Sequence, residues 1–423
     1  MDGDRQRLTL PEFRRSFGPG LLWAGAAIGV SHLVQSTRAG ATSGYGLTGV
    51  VLVALLVKYP FFEFSPRYAA ATGESLVDGY RRVGAWALWI YFLITVATAV
   101  IIASTIALFA GFLFLVVIGA DAGAVVPAAG LLYAASGALL WRGRFRMLDV
   151  SIKTILLALA ISTMVAAVVA LPRADFATLA LWPELGRGGA PLIFMLALAG
   201  WMPSAIDVSV WSSLWTLAKD RAQGGRTRVV TARADFLVGY LGTGVLAFAF
   251  VTLGAAVMYG SGRTFSPQGA AFSLQLADLY AETLGAWARP FVLVAALTTM
   301  LSTLLTVVDG FPRSIERCVV VLRGAVGSPY AEPSPVYWWV LVIIGVLVVV
   351  LLGAFGGTLT ALVDFATTVS FLTAPILGYL NLRVVTGPHM PTEHRPGPAM
   401  LAYAYAGLAL LTTFGVVFAI AGR

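Results

Sequence analysis

Two short polar runs, set inside apolar stretches, hold the residues able to do chemistry. The first is Gly29-Val30-Ser31-His32, continued by Gln35, Ser36, Thr37 and Arg38. The second is Gly200-Trp201-Met202-Pro203-Ser204, followed one turn on by Asp207. His32, Met202 and Asp207 together offer an imidazole, a thioether and a carboxylate, a mixed donor set suited to a divalent transition-metal ion. Gly29, Ser31, Gln35 and Ser204 supply hydroxyls, amides or carbonyls to complete a shell, and Thr299 and Thr303 recur at helical spacing where they either line the same path or bond back to carbonyls of their own helix. Arg38 works against a metal if it faces the same space. Either it pairs with Asp207 or Glu63, or the bound solute is anionic or zwitterionic.

Other chemistries find no residues. There is no glycine-rich phosphate loop, no Ser/His/Asp set and no pair of catalytic carboxylates. Cys318 is the only cysteine, so neither a disulfide framework nor a cysteine-built metal site exists. No enzyme and no cofactor is expected. His389 and His394 read as a solvated pair in a loop.

The elements that position these runs are membrane spans. Of 423 residues, 59% are hydrophobic and 11% charged, far too apolar a balance for a soluble domain. A hydrocarbon core of about 30 Å needs roughly 20 apolar residues per helix. Eleven stretches qualify: 20–43, 46–64, 86–117, 125–140, 150–171, 191–217, 236–259, 290–308, 336–352, 358–380 and 400–420. Residues 1–18 form a cytoplasmic tail, and 19–423 one transmembrane domain.

Charge sets the orientation. With the N-terminus cytoplasmic, most arginines fall on the inner side, including Arg67, Arg81, Arg82, Arg233, Arg313, Arg317 and Arg395. The outer side receives few, such as Arg173, Arg187, Arg263 and Arg289. This asymmetry obeys the positive-inside rule and puts the C-terminus outside an inner or plasma membrane. The net charge of +8 follows from topology and carries no hint of nucleic acid.

Helix breaks survive in lipid only where they line a cavity or bind something. Pro203 removes an amide donor and Gly200 allows a bend, so a half-helix is expected to start at Pro203 with Asp207 in its positive field. The broken spans are the first and the sixth, each heading a group of five. Five is odd, so the second group must run inverted. Repeat one takes 19–171, repeat two 190–380, and 399–420 is an eleventh helix. An all-α membrane fold of leucine-transporter type follows, a 5+5 inverted repeat with broken helices 1 and 6 and solute between the breaks.

A charged residue at a helix centre costs ~2.5–3.5 kcal/mol on insertion scales and should be paired or functional. Lys58 and Glu63, near the inner end of the second span, are expected to form a structural ion pair or a snorkelling end rather than to touch the solute. Asp309 is expected to head a helix end at the inner surface. Asp364 is a further candidate for the cavity.

The run Gly18-Pro19-Gly20-Leu21-Leu22, then Ala39-Gly40-Ala41-Thr42-Ser43-Gly44-Tyr45, and later Gly200-Trp201-Met202-Pro203, resembles the NRAMP family of proton-coupled divalent metal transporters. The resemblance covers nearly the whole chain and implies the same fold. Aligned on it, the family's Asp-Pro-Gly-Asn metal motif falls on Gly29, Val30, Ser31 and His32, and its Met-Pro-His-Asn on Met202, Pro203, Ser204 and Ala205. The metal carboxylate, the sixth-helix histidine and the acidic residues of the third helix are therefore missing. The chain reads as a divergent member, a secondary transporter most consistent with a divalent metal cargo, alternating access and weak or absent proton coupling. Two alternatives stay open: a carrier of the same fold for a small zwitterion, amine or inorganic anion, and a non-transporting membrane sensor. The partners are the transported solute and the bilayer; the oligomeric state is not readable.

Overall fold

In the computed structural model of the protein the described residues are 18–180, 192–329 and 333–421, with backbone only at 143–156, 418–419 and 421. The expected tail 1–18, apart from Gly18, and Arg187 lie outside them. Every regular element among the described residues is helical.

The first span is broken as expected. Helix α1 (Pro19–Ala27) ends where Ile28 turns to extended backbone, Ser31–Ser36 forms a π-helical turn, and α2 (Thr37–Ser43) completes the crossing. Then come α3 (Thr48–Thr72), the short α4 (Leu76–Val83) and α5 (Ala85–Ile118). The fourth and fifth expected spans lie on one continuous helix, α6 (Val125–Ala170). The sixth is again broken, into α7 (Leu192–Trp201) and α8 (Val208–Gln223). The remainder is α9 (Val229–Val257), α10 (Gly269–Leu284), α11 (Ala288–Leu322), α12 (Pro335–Ala354), α13 (Leu359–Thr386) and α14 (Pro398–Ala421).

Among the described residues, eight helical stretches are long and apolar enough to cross a membrane unaided. Spans one and six fall short because each is split, and the fifth is the shorter apolar stretch Leu157–Arg173. The expected spans are otherwise recovered, several with added turns. Hydropathy stops at charge, but α3 and α11 run past it because the charges are paired. Glu63 takes Arg67 at 2.7 Å and also Arg233. Asp309 takes Arg313 at 2.5 Å, Trp215 Nε1 at 2.8 Å and Tyr337 Oη at 3.0 Å. The expected helix end at Asp309 is therefore mid-helix, and Glu63 is paired with arginines rather than with Lys58. Asp78 holds Arg317 at 2.6 Å. These pairs gather at one end of the bundle. Arg263 with Glu282 and Arg289 with Asp278 mark the other.

Both broken spans are clamped by glycine contacts. A Cβ on Gly40 would lie 2.0 Å from the Val251 carbonyl oxygen, and one on Gly254 2.1 Å from that of Thr37. Thus α2 and α9 touch backbone to backbone, the small-residue packing that membrane helices use. Gly200 meets the Thr367 carbonyl oxygen in the same way, seating α7 on α13. Asp235 of α9 accepts from Gly18 N at 3.1 Å and Gly20 N at 2.7 Å, capping the free amides at the start of α1.

Gly254→Ala should cost on the order of 3 kcal/mol by forcing α9 off α2. Gly242→Ala, on the same helix but with open space around it, should cost almost nothing. Thermal unfolding in detergent checks the pair, and equal stability of the two variants would refute the clamp.

Candidate functional site

The two breaks face one another across a small buried cavity of about 30 Å³. That is room for one or two water-sized groups. Ser31 enters from the first break, Ser204 and Asp207 from the second, and Thr303 from α11. Trp201 and Trp211 form aromatic walls, while Ile102, Ile106 and Val307 are among the apolar ones. Asp207 is 3% exposed and is the only charged group among the described residues lining this space. It sits at the N-cap of α8, accepting from Val208 N at 3.1 Å, so the half-helix starts at Val208 and not at Pro203. The carboxylate gains from the free amides and the positive end of that helix.

Thr303 ties the first break to α11. Its Oγ1 lies 3.1 Å from the Gly25 carbonyl oxygen and 3.0 Å from that of Ile28, both released where α1 ends. Gly29 leaves room for it, since a Cβ there would come within 2.7 Å of Thr303 Oγ1. Trp211 Nε1 is buried with no acceptor among the described residues. The unpartnered indole N–H belongs to a cavity wall.

Of the residues expected to share one site, Ser31, Ser204, Asp207 and Thr303 come together, with Gly29 beside them. The others do not join. His32 is fully buried with Nε2 3.0 Å from the Thr243 carbonyl oxygen, Nδ1 2.7 Å from Ser31 Oγ, and its ring edge-on to Phe250 of α9. A ring nitrogen facing a carbonyl must carry its proton, so Nε2 is N–H and both nitrogens are engaged. The expected metal set of His32, Met202 and Asp207 is not assembled around the cavity. Met202 is buried but not part of the lining. Thr299 turns back on its own helix, donating to Ala295 O at 2.7 Å. Among the described residues no group of three or more His, Cys, Asp and Glu side chains is placed to hold a metal ion.

Arg38 and Gln35 lie on the side of the cavity toward the arginine-poor end. Arg38 pairs with Asp364 of α13 at 2.8 Å, donates to Gln35 Oε1 at 2.8 Å and stacks over Phe194 at 4.7 Å. Gln35 Nε2 also donates to Asp364 at 3.1 Å. Arg38 therefore pairs with neither Asp207 nor Glu63, and its charge is neutralised away from the cavity. The network joins α2 to α13 above the cavity, with both ionic groups partly exposed at 17% and 27%.

The sequence signal that was missed concerns Lys58. It is 0% exposed and donates to three carbonyls of the sixth-span break: Ala199 at 2.6 Å, Gly200 at 2.7 Å and Ser204 at 3.2 Å. A lysine inside a span, one helix away from a Gly/Pro break, was the available cue.

Two interrupted spans that meet at a small cavity lined by buried residues, inside a five-plus-five bundle, define a membrane transporter of the leucine-transporter type. Solved structures of that type superpose on the chain. A manganese transporter variant of Eremococcus coleocola gives a TM-score of 0.75 at 15% identity, covering 96% of this chain and 86% of the other. MhsT in complex with L-phenylalanine gives 0.64 at 14% identity over the full length of both. Such identities speak for the fold alone. The sequence matches the family model described as natural resistance-associated macrophage protein-like over residues 20–421. An uncharacterised protein of Pasteurella multocida is 34% identical over 415 residues, covering 95% of this chain and 91% of that one. The chain belongs to the NRAMP family and is an integral multi-pass membrane protein.

If Arg38, Gln35 and Asp364 close the cavity on that side, Asp364→Asn should raise the rate at which an impermeant thiol reagent reaches a cysteine placed at Ser204. Cys318 is buried and offers little background. A pair of this exposure is worth about 1 kcal/mol, which corresponds to about a fivefold faster reaction. An unchanged rate would show that the network does not close the cavity.

Proposed function

We propose that the protein is a secondary transporter working by alternating access, with its cargo held in the cavity between the two breaks and Asp207 as the anchoring charge. The single observation that carries this is one buried carboxylate, at a helix N-cap, lining a small cavity between discontinuous spans. A lone negative charge among hydroxyls calls for a cation. Family membership and the fold shared with a manganese transporter support a divalent metal ion as cargo. The donors that converge, Asp207 with the hydroxyls of Ser31, Ser204 and Thr303, are oxygens, which suit a hard ion such as Mn²⁺ or Mg²⁺ better than the softer set with His32 and Met202.

A second reading has its own observation. The Trp211 indole N–H is a donor and cannot ligate a metal, and two indole side chains line the cavity together with Asp207. An amine end held by Asp207 and the indole faces, with an acceptor end met by Trp211 Nε1, would fit a very small amine or zwitterion.

The arginine-rich end of the bundle is taken as cytoplasmic, with the N-terminus inside and the C-terminus outside. Helix α5 carries no acidic residue along Ala85–Ile118, which supports weak or absent proton coupling by that helix. Transport into proteoliposomes should then proceed without stoichiometric acidification of the lumen.

Asp207→Asn should weaken saturable binding of Mn²⁺, measured calorimetrically on purified protein, by about tenfold or more, equivalent to ~1.4 kcal/mol. His32→Gln should leave that affinity within about twofold, because the ring faces α9. Wild-type protein that binds methylammonium or glycine but neither Mn²⁺ nor Mg²⁺ would select the second reading. Full affinity in Asp207→Asn for every ligand bound would remove the proposed site.

A further inference from the structure

Helix α7 ends at Trp201, so its last carbonyls have no amide one turn ahead. The loss is sharpest at Ala199, whose α-helical partner would be the amide of residue 203, and residue 203 is proline. Gly200 O, one residue before the end of α7, faces a residue 204 that is no longer helical, and Ser204 O lies in the break itself. Unpaired carbonyls in a membrane interior are costly, so something must satisfy all three.

What satisfies them comes from another helix. Lys58, in the middle of α3, sends its side chain to the break and places Nζ 2.6, 2.7 and 3.2 Å from the three oxygens. Three carbonyl acceptors around one nitrogen match the three donors of an ammonium, whereas a neutral amine has only two. The oxygens form a cage, and its occupant is a cation fixed to the chain. Asp207, beyond Ser204 on the same break, supplies an attracting negative charge.

We propose that Lys58 is a tethered cation filling a carbonyl cage that would otherwise bind a free monovalent ion, so that the sixth-span break holds its shape with no ion at that position. The proposal concerns the break and does not depend on the identity of the cargo. It also separates two cation positions: the cage is taken by lysine, and a cargo cation is left to the Asp207 side of the break.

The test uses the purified full-length protein in detergent, with thermal unfolding followed in choline chloride and then in potassium, sodium or methylammonium chloride at equal ionic strength. Wild type should show the same midpoint in all four salts. Lys58→Ala should unfold on the order of 5 °C lower in choline. At least half of that loss should return in methylammonium or an alkali salt, because these ions fit where the ammonium was and choline does not. Lys58→Met, which fills the channel with an apolar chain, should be destabilised and unresponsive to added cations. If Lys58→Ala cannot be recovered folded in choline, purification in potassium or methylammonium should rescue it; failure in all salts overturns the proposal. It is equally overturned if Lys58→Ala matches wild type, if choline stabilises it as well as the small cations do, or if wild type itself gains stability from sodium or potassium. Loss of cargo binding with intact cation rescue would count against the proposed function and leave the cage standing.

Discussion

The structure depends on one constraint: in lipid, each backbone group freed by a helix break must find a partner inside the protein. The cavity exists because two broken spans face one another, and the breaks persist because side chains from other helices take up the groups released. Thr303 stands by the carbonyls of Gly25 and Ile28, and Lys58 holds those of Ala199, Gly200 and Ser204. The same logic recurs outside the site. Pro60 deprives the Leu56 carbonyl of its helical amide, and the Tyr403 hydroxyl of α14 donates to it.

These partners decide what the cavity can hold. With the carbonyls of the second break engaged by lysine and those of the first approached by threonine, the strongest donor left to a solute is the Asp207 carboxylate. Arg38, which would repel a cation there, is drawn off to Asp364 and Phe194. The rigid backing comes from α9, whose Gly254 contact and Asp235 cap fix the first span, while the Gly200 contact seats α7 on α13. A small cavity bounded by such elements changes shape by moving helices, the kind of bistable motion from which alternating access is built.

Much of this was legible in the sequence. Long apolar runs and the Gly/Pro interruptions are local signals, and they located the spans and both breaks. Ser31, Ser204, Asp207 and Thr303 were read correctly as neighbours in space because each sits at a break or on a helix expected beside it. His32 was legible as a buried polar residue but not in its direction. The π-helical turn over Ser31–Ser36 changes the angular step per residue, and matching a motif places a residue along the chain without saying which way it points. The partners of Lys58 and Arg38 were hidden for a different reason. They lie 141 and 326 residues away, and only the tertiary fold, which packs α3 on α7 and brings the Arg38 side chain of α2 to Asp364 of α13, puts them in reach. Glu63 and Asp309 misled the boundary reading because paired charges let a helix continue where single charges would stop it.

The most direct test of the account is an anomalous difference map from crystals of the protein grown with saturating manganese. The account places the peak in the cavity bounded by Ser31, Ser204, Asp207 and Thr303, with Lys58 still on the three carbonyls of the sixth-span break. A peak coordinated by His32, or one seated in the carbonyl cage with Lys58 displaced, would contradict it.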